Sequence, residues 1–253
     1  MSARNGDVIA LDGVGLRYRL AKTRYLSFKE YAVHWMRGAL VHEELWALTN
    51  VSLRFGRGES VGVIGRNGAG KSTLLKVISR VLEPTRGDLT LNGSVVPMLE
   101  LGAGFDLELT GFENVALNAL LLGRTRAEVD AARPAIIEFS GLNDFIHAPI
   151  RNYSSGMLAR LGFSVATAWV PDIFIVDEVL AVGDAAFMQR SQDRMRDIRA
   201  AGATLLLVSH SPDAILRSCE RCIWLEKGQV MGDGPAPKVL KDYMTFAQGA
   251  WNG

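Results

Sequence analysis

The sequence predicts an α/β protein built on a largely parallel sheet, and three observations carry that prediction. Short apolar runs of strand length alternate with longer amphipathic stretches. One such run, Ser60 to Ile64, ends in a glycine-rich turn, Gly65 to Gly70, and leads into a helical pattern from Lys71 to Val81. Two further apolar runs, Asp172 to Val176 and Thr204 to Val208, flank a charged periodic segment, Gln189 to Ala201, which reads as the crossover helix that two parallel strands need.

The remaining elements follow in order. Ile9 to Tyr18 and Leu48 to Phe55 read as antiparallel strands ahead of the parallel core. Between them lies Ala21 to Leu45, where Ser27 and Glu30 have the spacing of a capping box. Phe28, Tyr31, Ala32, Trp35 and Ala39 then fall on one helical face, with Lys29, Glu30, His34 and Arg37 elsewhere. That stripe suits either packing on the protein's own core or a surface helix at a membrane protein or lipid interface. Gly87 to Gly93 suggests a short strand and turn, and Glu113 to Ala168 a mainly helical region broken at Gly123, Pro134, Gly141 and Pro149. The sequence shows no internal repeat.

Composition narrows the function classes. A chain of 253 residues, 48% hydrophobic and 22% charged, is long enough for one large domain or two small ones and is ordinary globular material. With 28 Lys and Arg against 27 Asp and Glu, it lacks the basic excess of a nucleic-acid binder, so no nucleic-acid partner is expected. No apolar run approaches the roughly 18 residues of a membrane span, and the N-terminus has no apolar segment of signal type. Two cysteines, Cys219 and Cys222, form a C-x-x-C without further ligands nearby, which favours two packed thiols over a zinc or redox site. These features describe a soluble, cytoplasmic, compact protein.

The chemistry is concentrated in Gly65-Arg-Asn67-Gly68-Ala69-Gly70-Lys71-Ser72-Thr73, which satisfies G-x-x-x-x-G-K-[ST] between a strand and a helix. Glycines let successive amides and the helix N-terminus face phosphate groups, Lys71 reaches the β- and γ-phosphates, and the Ser72 hydroxyl suits Mg²⁺. The chain is therefore expected to bind a nucleoside triphosphate. About one hundred residues later the strand Ile173 to Val176 ends in Asp177-Glu178. The first acid fits a carboxylate holding Mg²⁺, the second a group that polarises an attacking water. His210 follows the strand that ends near Ser209, where it is either a packed or surface histidine or a phosphate contact.

With these pieces placed, the sequence resembles the ATP-binding subunit of ABC transporters. The deciding addition is Asn152-Tyr153-Ser154-Ser155-Gly156-Met157, standing before a helix where that family has its signature, LSGGQ. The resemblance runs from about Ile9 to Tyr243. It implies a P-loop NTPase with a RecA-like, mostly parallel sheet core, an N-terminal antiparallel β subdomain and a helical subdomain. The resemblance further implies that residues 1–253 are one nucleotide-binding domain: antiparallel region 1–60 with the inserted helix at about 27–40, catalytic core 60–100 and 170–230, helical subdomain 105–168, and tail 231–253, with no carbohydrate-binding domain expected.

The same resemblance implies roles for single residues. His210 is the switch histidine at the γ-phosphate, and Glu178 the residue that activates water. Ser154 and Gly156 press the ATP held by a second copy, and Asp184 lies on the loop joining the two sites. Tyr18 stacks on adenine, with Trp46 as the alternative. The family's Q-loop glutamine is missing, and Glu100, within Pro97-Met-Leu-Glu100-Leu-Gly-Ala-Gly-Phe105, takes its place as coupling residue and third metal contact.

LELGAGF, YSSGM, DEVLAVGD and the aromatic insertion before Trp46 together resemble the ATPase subunit of polysaccharide exporters, which move O-antigen, capsule or teichoic acid. The resemblance thus implies ATP and Mg²⁺ as ligands and a second copy and a separate transmembrane permease as partners. It also implies a lipid-linked polysaccharide near the N-terminal helix, and a place on the cytoplasmic face of the bacterial inner membrane. The rival classes are a soluble ABC ATPase acting on nucleic acid or ribosomes, and an exporter ATPase for another cargo.

Overall fold

A computed structural model of the chain describes residues 6–21, 42–98, 102, 104–177 and 184–249. In chain order these form β1 (Asp7–Ala21), β2 (His42–Gly56), β3 (Ser60–Ile64), α1 (Lys71–Ile78), β4 (Arg86–Leu91) and β5 (Val95–Pro97). Next come α2 (Gly111–Leu121), α3 (Arg126–Ser140), a 3₁₀ turn (Ile150–Asn152) and α4 (Ser155–Ala166). The chain continues with β6 (Ile173–Asp177), α5 (Ala185–Ala200), β7 (Thr204–Val208), α6 (Pro212–Ser218), β8 (Arg221–Glu226), β9 (Gln229–Pro235) and α7 (Ala236–Gly249). The inserted segment with Phe28, Tyr31 and Trp35 lies outside the described residues.

Two sheets organise the molecule. An antiparallel sheet has the order β2-β1-β4, and a six-stranded sheet has the order β5-β6-β7-β3-β8-β9. In the latter only β9 runs antiparallel to its neighbour. The predicted α/β class with an antiparallel N-terminal part is therefore borne out. The central strands are near-continuous apolar runs because both their faces are covered, as parallel strands require. One core joins the two sheets: Ile9, Leu11, Leu48 and Phe55 of the antiparallel arm pack with Val61, Val63, Leu75 and Ile78. Arg221, on β8, fastens this junction from the side by donating to Asp233, Glu59 and the Arg54 carbonyl.

On the other face of the large sheet, Phe163 of α4 packs edge-on to Phe187 of α5 with ring centroids 5.8 Å apart, and both touch the cluster around Phe174. This holds α4 against the sheet and fixes where its N-terminus stands. Burying each phenyl ring contributes about 1.5–3 kcal/mol. The helical region has its own core of Val115, Ile136, Ile146 and Leu161.

Three local expectations need correction. The helix after the glycine-rich turn ends at Ile78 rather than Val81, because Ser79 caps it and Arg80 takes a left-handed φ of 56°. The crossover helix starts at Ala185, four residues before Gln189, because the Asp184 side chain caps it. Pro134 does not break a helix but lies inside α3. Its missing N–H removes one hydrogen bond. The helix survives because the Thr125–Glu128 capping box anchors its start and Val129 and Ile136 bury its face on either side of the proline.

Candidate nucleotide site

The glycine-rich turn between β3 and α1 is shaped by contacts that exclude side chains. A β-carbon on Gly65 would stand 2.3 Å from the Leu225 carbonyl oxygen, and one on Gly70 would stand 2.7 Å from that of Ala47. Gly70 also has a φ of 105° and is the N-cap of α1, with no side chain capping the helix. The first amides of α1, which the helix itself cannot use, are thus left to face an anion. Backbone hydrogen bonds fasten the loop in place: the Gly228 amide donates to the Ala69 carbonyl at 2.9 Å, and the Thr49 amide to the Gly228 carbonyl at 2.8 Å.

Lys71 is the buried cation of this loop, 7% exposed. Its ammonium donates to the Gly65 carbonyl at 2.7 Å and the Arg66 carbonyl at 3.1 Å, so the loop's own backbone fixes the charge at its centre. Strand register brings the other groups alongside. Val63 of β3 pairs with Val208 of β7, and Val208 with Asp177 of β6, so Asp177 stands two strands, about 10 Å, from the phosphate strand. His210, two residues past Val208, is exposed at the same edge.

One cleft of about 610 Å³ collects these groups. Tyr18, Asn67, Gly68, Ala69, Gly70, Lys71, Ser72, Thr73, Asp177 and His210 all line it. His210 stands on the wall of this cleft and is not packed in the core. Leu45, Trp46, Ala47 and Val208 complete the lining. Leu45, Ala47 and Val208 carry no motif, and only their strand positions beside recognised residues could have marked them.

Tyr18 and Trp46 both reach the cleft, but their surroundings differ. The guanidinium of Arg86 lies 4.9 Å and that of Arg17 5.6 Å from the centroid of the Trp46 ring, which is thus already engaged by cations. Tyr18 packs partly against the core beneath the cleft.

Among the described residues, four predicted site residues are absent from this lining: Gly65, which begins the turn, and Ser154, Gly156 and Asp184, which stand apart from it. Ser154 caps α4, its hydroxyl accepting from the Met157 amide at 3.2 Å, and both it and Gly156 are absent from the cleft lining. The Tyr153 hydroxyl donates to the Phe145 carbonyl at 2.7 Å and so fixes the start of this helix. Asp184 caps α5, accepting from the Phe187 amide at 2.8 Å, and its other oxygen lies 3.7 Å from Arg160 of α4. Glu100 and Glu178 lie outside the described residues.

Cys219 and Cys222 are both free and buried, in a cluster with Ile64, Ile215 and Trp224. Burial pushes each thiol up to about 12, so both keep their protons near neutral pH. The reading of two packed thiols is borne out.

A parallel sheet, a glycine loop turning into a helix, a buried lysine in that loop, and an acid and a histidine on neighbouring strand ends define a nucleoside-triphosphate-binding cassette. The chain belongs to the ABC transporter family, whose model matches residues 48–181. It is 43% identical to an O-antigen export system ATP-binding protein, RfbB, of Myxococcus xanthus, over 94% of this chain and 55% of that protein. An RfbB of Klebsiella pneumoniae is 51% identical over 78% of this chain and 80% of its own length. Among solved structures, the dimeric post-hydrolysis ATP-binding cassette MJ0796 bound to ADP and Pi superposes with a TM-score of 0.70 at 21% identity, covering 90% of this chain and 98% of that one, which shows the fold. The family resemblance drawn from the motifs is borne out. The chain spans about half the length of the Myxococcus relative.

Proposed function

We propose that the chain is the ATP-hydrolysing subunit that powers export of a lipid-linked cell-envelope polysaccharide across the bacterial inner membrane, working from the cytoplasmic face with a separate transmembrane subunit. The observation that carries this reading is the convergence of the glycine loop, Lys71, Asp177 and His210 on one cleft in a chain whose relatives serve O-antigen export.

The site fits a nucleotide and its metal. Gly65 and Gly70 let the loop lie against the Leu225 and Ala47 carbonyls and so hold its amides and the start of α1 toward the cleft, where Ser72 and Asp177 offer hard oxygen ligands for Mg²⁺; we assign Glu100 as a third. Mg²⁺, when bound, neutralises charge on the phosphate oxygens. Lys71 and His210 offset charge at the γ-phosphate, Tyr18 holds the base, and Glu178 orients the attacking water.

Two copies close on two ATP molecules. Ser154 and Gly156 stand at a helix start outside their own chain's cleft, which suits contact with the ATP of a second copy, and the fold neighbour MJ0796 is a dimer. Asp184, tied to Arg160 on the signature helix, then links the two sites. To the segment that carries Phe28, Tyr31 and Trp35 we assign contact with the membrane and the lipid-linked polymer.

Capture of the Glu178→Gln variant from native membranes, in mild detergent with ATP and Mg²⁺, tests this. The expected result is a stoichiometric multi-span membrane protein, with ATP bound and steady-state turnover nearly abolished. Recovery of soluble protein or RNA alone would replace the export reading with a soluble ABC ATPase, and retained hydrolysis would remove Glu178 from its role.

A further inference from the structure

The ends of β6 and β7 serve two cavities, one on each face of the sheet. Alternation along a strand sends successive side chains to opposite faces. Val208 and His210 accordingly line the nucleotide cleft, while Leu205, Leu207, Ser209 and Ser211 line a second cavity of about 650 Å³ behind it. Asp177 is the side chain common to both.

The walls of this second cavity are polar, while the apolar face of α5, with Phe187 and Ile198, is buried against the sheet. Here α5 presents Gln189, Gln192, Arg196 and Arg199, spaced by three and four residues and therefore on one face, to the cavity. From the opposite side α6 contributes Arg217 and Ser218. The floor is apolar, formed by Leu205, Leu207, Met195 and Ala214.

Charge and size together select an occupant. Among the described residues, three arginines share the wall with one carboxylate, Asp177, in a chain whose net charge is only +1. Asp193, which pairs with Arg196, lies on α5 but is not part of the lining. Guanidinium forks bind phosphate and carboxylate oxygens in bidentate fashion. The volume lies in the range of small-molecule sites.

We propose that the cavity between α5 and α6 binds a small amphipathic anion as a free molecule, its anionic head on Arg196, Arg199 and Arg217 and its apolar body on Leu205 and Leu207. This site is independent of what the transporter moves.

The test is calorimetric titration of the full chain with dodecyl phosphate below its micelle concentration, beside inorganic phosphate for the head alone and dodecyl maltoside for the tail alone. Dodecyl phosphate is expected to bind one-to-one, and the two controls at least about tenfold more weakly, since each makes only one of the two kinds of contact. The Arg199→Gln/Arg217→Gln double variant is expected to lose about tenfold or more in affinity for dodecyl phosphate while binding ATP as the parent does, which shows that it folds. Absence of binding by the parent chain, equal binding by the variant, or equal binding of either control would overturn the proposal. So would arginine-dependent sedimentation with vesicles of anionic lipid, which would assign these side chains to a membrane surface.

Discussion

A β-carbon at Gly111 would stand 2.3 Å from the Tyr153 hydroxyl oxygen and 3.0 Å from Ile146. The first turn of α2 is thereby pressed onto the segment that leads into the signature helix. Backbone bonds reinforce the contact, the Phe112 amide donating to the Ile146 carbonyl at 2.8 Å. Gly111→Ala is expected to lower stability by about 1–3 kcal/mol, the usual cost of forcing extra volume into a packed site. Tyr153→Phe, which loses only the hydrogen bond to Phe145, is expected to cost about 1 kcal/mol. Urea unfolding checks both, and an unchanged midpoint for Gly111→Ala would show that the two segments are not rigidly joined.

Lys71 holds two loop carbonyls while lining the cleft, so its loss acts on shape and on charge together. Lys71→Ala is expected to weaken ATP binding by about tenfold to a hundredfold, the worth of one charged hydrogen bond. Nucleotide titration by fluorescence measures this, and parental affinity in the variant would remove Lys71 from phosphate binding.

The two aromatics of the cleft make opposite predictions. If Tyr18 carries the base, Tyr18→Ala costs about tenfold in ATP affinity while Tyr18→Phe keeps the stacking face. Trp46→Phe, which disturbs a ring already held by Arg17 and Arg86, leaves affinity within about twofold but lowers stability by about 0.5–1 kcal/mol. Reversal of the two affinity results would assign the base to Trp46.

The buried thiols give a pH prediction. A thiol pushed up in the folded chain keeps its proton more firmly there than in the unfolded chain. Its stabilising effect is therefore complete below the ordinary thiol value of 9 and declines as pH climbs toward about 12. At pH 8 neither Cys219 nor Cys222 is expected to react with a disulfide reagent in the native chain, and both are expected to titrate in guanidinium. Fast labelling of either in the native chain would show that the cluster around Trp224 opens readily.

The fold was legible where a strand is buried on both faces or where glycine and lysine stand in one contiguous motif. β3, β6 and β7 are such strands, and the phosphate loop is such a motif. β9 was not, because it alternates half-buried and exposed positions through Gly232 and Gly234, a pattern with little apolar signal. Neither was β8, though buried on both faces, because its apolar run is only Cys222 to Leu225 between charged residues. Pro134 misled because tertiary burial outweighs one lost hydrogen bond. In the site, Asp177 and His210 could be read from their places after apolar strands. The pairing of Tyr18 with Leu45, which brings the antiparallel arm to the phosphate loop, depends on contacts across distant segments that no local pattern records. The second cavity has no motif at all, since its arginines come from two helices joined only through the sheet.

The strand that carries the phosphate loop has a bearing on how the chain is made. β3 is complete at Ile64, yet its two neighbours are β7 and β8, and Val61 to Ile64 pair with residues as late as Trp224. A ribosome that has delivered the loop must still deliver most of the remaining chain before that strand has anything to pair with. Such late closure makes folding slow and leaves the growing chain in need of protection. It also means that the ability to hold a nucleotide arrives only at the end of synthesis, so an incomplete copy has no assembled site with which to take up ATP.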